Sequence, residues 1–268
     1  SKALISFYTP MGVKRPSRRF SQEHVRQIEG RNPVREALRA GNPVREIFLE
    51  EKMKFDERLQ EIYRLAQEKN IPISTAHSKR LRRLSKTEGH HQGVIAIAEP
   101  LEEKAIEDLL EEIYEKRELP FFIVLADVVY EHNLGAVLRS AEAAQVHAVI
   151  VNKRAPELTP VVSRTAVGAG EHIPLIHENL FTTLKLFKKE GIAVIGAQEG
   201  THKSLYRTDF KRGIALVLGA EDRGISEPLT KMLDEMISIP MLGKIESLNM
   251  SVAASLCLYE VVRQRKYS

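Results

Sequence analysis

From residue 121 onward, short and nearly continuous apolar runs alternate with longer segments whose apolar residues recur at helical spacing. The runs at 121–126, 148–151, 192–197, 214–219 and 236–239 read as strands, and 134–144, 159–167, 180–189, 227–233 and 251–265 read as helices. A run such as Ile214-Ala215-Leu216-Val217-Leu218 lacks the alternation of a strand with one wet face. It predicts a parallel sheet covered by helices on both sides.

The first hundred residues are patterned differently. Residues 1–24 hold Pro10, Gly12 and Pro16 among basic residues without a steady period, which reads as a flexible arm. At Asn32-Pro33-Val34-Arg35-Glu36-Ala37-Leu38 an Asn cap, a first-turn Pro and one apolar face predict a helix. A strand at 46–49, a helix over 55–69, a strand at 71–74, a helix from Ser78 and a strand at 93–98 follow. Residues 25–99 thus form a small α/β unit with a modest core of its own. Residues 100–119 are acidic and partly helical and read as the connection to a second domain at 120–268.

Composition adds exclusions. The one cysteine, Cys257, rules out an internal disulfide and any all-cysteine metal site, and fits a reducing cytoplasm. His147, His172 and His177 lack metal-ligand spacing, so no metal is expected. No apolar run approaches membrane-spanning length, and the start lacks a signal peptide's long apolar region. The net charge of +4 is mild, but its distribution is not. One basic cluster includes Arg18, Arg19, Arg26 and Arg31, and another holds Lys79, Arg80, Arg82 and Arg83. Such patches attract polyanions through counterion release and long-range steering, and RNA is the polyanion that fits the chemistry below.

Three polar segments fall at the carboxyl ends of predicted strands, where ligands bind in open parallel sheets. They are Glu131-His132-Asn133-Leu134-Gly135-Ala136-Val137-Leu138-Arg139, Leu218-Gly219-Ala220-Glu221-Asp222-Arg223-Gly224, and Ser247-Leu248-Asn249-Met250-Ser251. Asn133 reads as a cap for the helix from Leu134. Arg139 lies in a helix rich in alanine and apolar residues, which predicts a covered guanidinium with an anionic partner, either an internal carboxylate or a substrate phosphate. The glycines of the second segment suggest close approach of the backbone to a ligand, and Glu221 could accept a hydroxyl or amide. Its spacing and late position do not match the dinucleotide-binding fingerprint. In the third segment Ser247, Asn249 and Ser251 exceed what capping one helix requires, while Val252, Leu256, Tyr259 and Val262 form an apolar stripe on that helix.

In order and spacing, the three segments resemble the signature motifs of the SpoU/TrmH family of RNA ribose 2′-O-methyltransferases, within the SPOUT superfamily. The resemblance also takes in Arg139-Ser140-Ala141-Glu142-Ala143-Ala144 and the ending Tyr259-Glu260-Val261-Val262-Arg263-Gln264-Arg265. In the first unit, Gly30-Arg31-Asn32-Pro33-Val34 and His91-Gln92-Gly93-Val94 resemble the L30e-like substrate-binding domain of the 23S rRNA guanosine branch. The resemblance implies a parallel sheet closed by a C-terminal trefoil knot, a homodimer through the methyltransferase domain, and S-adenosylmethionine as cofactor. It implies cofactor contacts at Gly219, Ile239, Met241 and Leu248, and a reaction centre of Asn133, Arg139, Glu221, Ser247 and Asn249. RNA contacts are expected from Arg18, Arg19, Arg31, Lys79, Arg80, Arg82 and Arg83. The expected activity is 2′-O-methylation of a guanosine in 23S rRNA. A tRNA methyltransferase and a catalytically silent RNA-binding assembly factor remain the alternatives at this point.

Overall fold

Two separate sheets carry the fold of the computed structural model, which describes residues 25–220 and 222–268. In the first sheet, β1 (Arg26–Glu29), β2 (Val44–Glu50), β3 (Ile73–Ala76) and β4 (Val94–Ala98) lie in the order β1-β4-β2-β3. β4 is antiparallel to both β1 and β2, whereas β2 and β3 are parallel. Helices α1 (Arg31–Ala40) and α2 (Glu57–Glu68) bury Val34, Leu38, Leu59 and Ile62 against Ile47 and Ile28. Helix α3 (Ser78–Leu84) inserts Leu81 between Phe48 and Ile95 in a separate small cluster. β1 carries one apolar residue, Ile28, in the string Arg-Gln-Ile-Glu, so hydrophobic patterning gives no sign of it. The residue before α1 is Gly30, and Asn32 lies within the helix; the expected Asn cap is therefore absent.

The second sheet is parallel throughout, in the order β10-β8-β9-β5-β6-β7. Its strands are β5 (Phe121–Leu125), β6 (Ala148–Asn152), β7 (Leu175–Glu178), β8 (Ala193–Ala197), β9 (Ile214–Leu218) and β10 (Glu235–Ile237). One face carries α5 (Glu131–Ala143), α6 (Pro160–Thr165) and α9 (Met250–Tyr267), packed on Phe121, Ile123, Leu125, Ile214 and Leu216. The other carries α4 (Ile106–Glu115), α7 (Leu180–Lys189) and α8 (Glu227–Thr230), packed on Phe122, Val124, Ala215 and Val217. Burial on both faces is why these strands read as unbroken apolar runs. Within the acidic 100–119 segment, α4 buries Ile106, Leu109, Leu110 and Ile113 in this core. That stretch is a packed helix of the second layer, and not a bare connection.

The last helix is held at its far end by Arg265. Its guanidinium donates to the carbonyls of Leu119, Pro120, Phe210 and Arg212 and lies over the Phe121 ring, 4.9 Å from its centroid. Burial pushes its pKa down to about 10. This anchorage fixes α9 against the sheet, so that its first residues are presented at the carboxyl rim of the strands.

The two units meet through a charged cluster. Arg26 makes two 2.6 Å bonds to the carboxylate of Glu171, whose side chain is fully buried, and also donates to the Glu99 carbonyl. Asn42 donates to the same carboxylate at 2.8 Å. His172 and Glu36 lie 2.9 Å apart beside them. Arg26, counted by sequence within a basic surface cluster, is instead a staple between the units.

Candidate active site

The three polar segments do lie at or beyond the carboxyl ends of strands of the one parallel sheet: the neighbouring β5 and β9 lead into α5 and into the loop after Leu218, and β10, one strand beyond β9, leads into the connection to α9. Gly219 allows the second segment to fold back on itself. Ala220 and Gly224 exchange hydrogen bonds of 3.0 and 2.9 Å, and a Cβ on Gly219 would sit 2.0 Å from the Gly224 carbonyl carbon. Gly135 serves the first segment in the same way. A side chain there would strike Thr165 at 2.6 Å and the Val162 carbonyl at 2.8 Å, so glycine lets α5 and α6 approach closely.

The connection from Ile239 to Leu248, which leads into the third segment, has no backbone–backbone hydrogen bond among the described residues. Ten main-chain acceptors and nine donors (Pro240 has no N–H) without main-chain partners, beside a cavity, suit a ligand held by backbone groups. That cavity, about 370 Å³, is lined by Gly219, Ile239, Met241, Leu248, Met250 and Ala253, with the carboxylates of Glu199 and Asp222 at its edge. Its size lies in the range of small-molecule sites, about 300–1,000 Å³. Apolar walls, open main-chain groups and the Glu199 carboxylate suit an adenosine carrying a positively charged sulfonium and ammonium, while Asp222 is paired with Arg223 of the same lining at 3.4 Å. The residues present therefore fit S-adenosylmethionine, and all four positions expected to hold it line this one cavity.

Asn249 caps α9: its Oδ1 accepts from the Ser251 amide at 2.9 Å and from the Ser251 hydroxyl at 2.6 Å. Its Nδ2 donates to Asn133 Oδ1 at 3.1 Å. Asn133 is not a cap, because α5 starts two residues earlier, after Tyr130. Its side chain instead meets the third segment. Beside it lies a second depression of about 320 Å³, formed by Asp127, Val128, Tyr130, Ala220, Arg223 and Met250.

Arg139 is exposed, contrary to the covered setting that its helix suggested. It makes no hydrogen bond or ion pair among the described residues. Neighbouring Ser140 turns inward to Ser255 of α9 at 2.8 Å, leaving Arg139 on the outer surface of the pair. Ser247 is also exposed. The structure thus joins Asn133 to Asn249, while Arg139 and Ser247 form no hydrogen bond with either among the described residues. Glu221, Arg18, Arg19 and the arm at 1–24 lie outside the described residues.

The stripe of Val252, Leu256 and Tyr259 faces outward, 46%, 40% and 50% exposed, while α9 buries Met250, Ala254, Cys257, Leu258 and Val261. The helix is apolar on two sides. Cys257 is fully enclosed, and burial pushes its thiol up to about 12, so it is no nucleophile. The three histidines take structural roles: His147 accepts from the Phe121 amide, His172 meets Glu36, and His177 meets the Pro156 carbonyl. Among the described residues no cluster of three metal-ligating side chains occurs, and no helix is long and apolar enough to cross a membrane.

On the first unit, Lys79, Arg80, Arg82 and Arg83 project from α3, with Arg80 over the Phe48 ring. Arg31 is engaged with Asp56 at 2.7 Å, and Asp56 in turn caps α2. The Leu59 amide, ahead of Arg31, holds the Asp56 carboxyl below its ordinary range. Arg31 is thus partly a structural residue. Two features escaped the sequence reading: the Asp127–Arg223 ion pair, 2.8 Å, and a cavity of about 930 Å³ beyond the ends of β5, β6 and β7. Lys153 and Arg154, directly after a strand, were the available signal.

Residues 120–259 match the SpoU rRNA Methylase family. The chain belongs to that family. Residues 27–104 match the domain described as RNA 2′-O ribose methyltransferase substrate binding. A SpoU-family relative from Ralstonia nicotianae, the 23S rRNA (guanosine-2′-O-)-methyltransferase RlmB, is 41% identical over 223 residues, covering 82% of this chain and 88% of its own. The crystal structure of an RNA 2′-O ribose methyltransferase, 25% identical, superposes with a TM-score of 0.74 over 90% of this chain and 89% of the other. The SpoU methyltransferase AviRb from Streptomyces viridochromogenes, crystallised with AdoMet, is 22% identical and shares the fold, with a TM-score of 0.74 over 91% and 92% of the two chains.

Proposed function

We propose that this chain transfers the methyl group of S-adenosylmethionine to the ribose 2′-hydroxyl of a guanosine in 23S rRNA. The observation that carries the proposal is one cavity lined by Gly219, Ile239, Met241 and Leu248, opening beside the Asn133–Asn249 pair. The family match and the Ralstonia nicotianae relative support the substrate class.

Bound there, the cofactor supplies an electrophilic methyl group. The remaining task is to position a weakly nucleophilic hydroxyl in line and to accept one proton. A guanidinium cation offers donors and no acceptor, so the base is not assigned to Arg139. Its exposed guanidinium grips the RNA phosphate beside the target ribose and orients the hydroxyl, with a phosphate oxygen sharing the proton. Asn133 and Asn249, fixed by each other, hold the ribose; Ser247 and Glu221 complete the centre.

The proposal includes a C-terminal trefoil knot, an L30e-like character for residues 25–99 and action in the cytoplasm. It also includes a homodimer. The exposed stripe Val252, Leu256 and Tyr259 supports that assembly, since a second copy seated on it would cover the stripe and enclose Arg139. RNA is drawn in by the arm residues Arg18 and Arg19 and by Lys79, Arg80, Arg82 and Arg83, with Arg31 behind them.

Incorporation of methyl label from S-adenosylmethionine into unmodified 23S rRNA, 16S rRNA and tRNA, followed by mapping, tests this. Label at one 23S guanosine ribose is expected. Label in tRNA alone would overturn the substrate, and failure to bind the cofactor would overturn the enzyme.

A further inference from the structure

The carboxyl rim of the parallel sheet carries two cavities in a row. The cofactor cavity occupies the half over β8, β9 and β10, whereas a larger one, about 930 Å³, occupies the half over β5, β6 and β7. They share Ala220, Arg223 and Gly224 as a common wall. The depression beside Asn133 joins the larger cavity through Asp127, Val128 and Val129. A ribose held at Asn133 and Asn249 therefore has its base within reach of the larger cavity.

The lining of that cavity is suited to a flat heterocycle. Leu180 and Leu229 form a buried apolar floor, and Phe181, 42% exposed, stands at the rim without a ring partner among the described residues. Exposed aromatic rings beside a nucleic-acid site are stacking platforms for unstacked bases. Lys153 and Arg154 stand exposed at the mouth, placed for backbone phosphates.

Most polar groups in the lining are already engaged. Asn152 donates to the Ala126 carbonyl and accepts from the Arg154 amide. Asn179 caps α7 by accepting from the Thr182 amide. Asp127 is paired with Arg223. Glu178, at the end of the edge strand β7, receives the Asn179 amide on Oε2, and its Oε1 has no hydrogen bond among the described residues. The cavity thus offers open carboxylate oxygens on Glu178 and Asp127; Asp127 is tied through its other oxygen to Arg223, whereas Glu178 is the carboxylate that shares the β7–α7 end of the lining with the Phe181 ring.

We infer that this cavity receives the target nucleobase, stacked on Phe181, and that Glu178 selects guanine. The inference rests on the proposed 2′-O-methyltransfer reading and deepens it. Guanine is the base whose Watson–Crick edge presents two adjacent donors, N1–H and the N2 amino group, to an acceptor-only carboxylate. Adenine and cytosine present a ring-nitrogen acceptor there and would repel it.

The test uses the full chain, S-adenosylmethionine, and an rRNA hairpin carrying the mapped target as guanosine or as inosine, which lacks the N2 amino group. The wild type is expected to prefer guanosine by about 10-fold or more in kcat/KM, since a site built on hydrogen bonds rejects a substrate missing one. Glu178→Gln should lower the guanosine rate and bring the ratio towards one, with cofactor Kd unchanged. Glu178→Asp, which keeps the carboxylate, should retain the preference at a reduced rate. Phe181→Ala should raise KM for both hairpins alike. An unchanged guanosine-to-inosine ratio in Glu178→Gln would overturn the inference, as would an equal fall in its cofactor affinity. A wild type that methylates neither hairpin while binding cofactor would instead take down the underlying functional reading.

Discussion

Asn249 and Asn133, 116 residues apart in sequence, meet through a 3.1 Å hydrogen bond between their side-chain amides. The same Asn249 side chain caps the last helix through its other atom, so one residue both ends the third segment and ties it to the first. Helix stability and site geometry are thereby coupled. Replacing Asn249 with Ala removes a cap worth about 1 kcal/mol and takes away the hydrogen bond that it donates to Asn133. The expected result is a lower Tm by a few degrees with a disproportionate fall in kcat, which thermal melts and label incorporation together would show. Loss of stability without loss of activity would make Asn249 a cap and nothing more.

Arg139 gives the converse case. It is exposed and unpaired among the described residues, so Arg139→Ala should leave the melting temperature within a degree or so of the parent. Methylation should fall by roughly 100-fold or more if the guanidinium positions the RNA phosphate. Cofactor binding, measured by calorimetry, should survive. Retention of full activity would remove Arg139 from the reaction centre.

Five strands of the parallel sheet and its helices were legible because strands buried on both faces read as unbroken apolar runs; the edge strand β7, Leu175-Ile176-His177-Glu178 with one buried residue, was missed. β1 was not legible: Arg26 and Glu29 look like surface residues, yet one is a staple and the other is buried. The cofactor cavity was foreshadowed by glycines and a polar interruption, but the open main chain of 239–248 shows only in three dimensions. Arg139 was misjudged because alanine content predicted coverage. Alanine says that a face is small, not that anything lies on it. The outward Val252, Leu256 and Tyr259 stripe misleads in the same way, since α9 buries a second apolar face that hydrophobic periodicity cannot rank above the first.

The Arg26–Glu171 pair predicts a large stability effect at a site far from the chemistry. Arg26→Ala would strand a fully buried carboxylate with Asn42 as its one remaining side-chain donor among the described residues. Breaking one side of a buried pair typically costs about 3–5 kcal/mol. Denaturant titration should show that loss, and limited proteolysis should cut more readily between residues 99 and 120. A change below 1 kcal/mol would mean that water replaces the guanidinium.

Glu29 sets a pH dependence. Burial alone would raise its carboxyl, but the Lys86 amide and the Thr87, Ser85 and Gln27 side chains together hold it below the ordinary 4.5. A depressed folded-state value means that the stabilisation is fully present above the unfolded-state value near 4.5. It is lost as the pH falls through the lower folded-state value. Stability should therefore decline on acidification below about pH 4.5, and Glu29→Gln should flatten that decline while lowering stability at pH 7. Denaturant midpoints across pH 3 to 7 would check both signs.

Gly219 offers the sharpest single-atom test of the cofactor cavity. An added Cβ would lie 2.0 Å from the carbonyl carbon of Gly224 and 2.3 Å from the Ile225 amide, both main-chain atoms with no room to yield. The fold-back between Ala220 and Gly224 must then open, displacing the wall that the cavity shares with the larger one beyond β5, β6 and β7. Gly219→Ala should abolish detectable cofactor binding. The first sheet, which shares no core with this loop, should keep its amide protection in hydrogen exchange. If Gly219→Ala bound cofactor as tightly as the parent chain, the second segment could not be part of the cofactor wall.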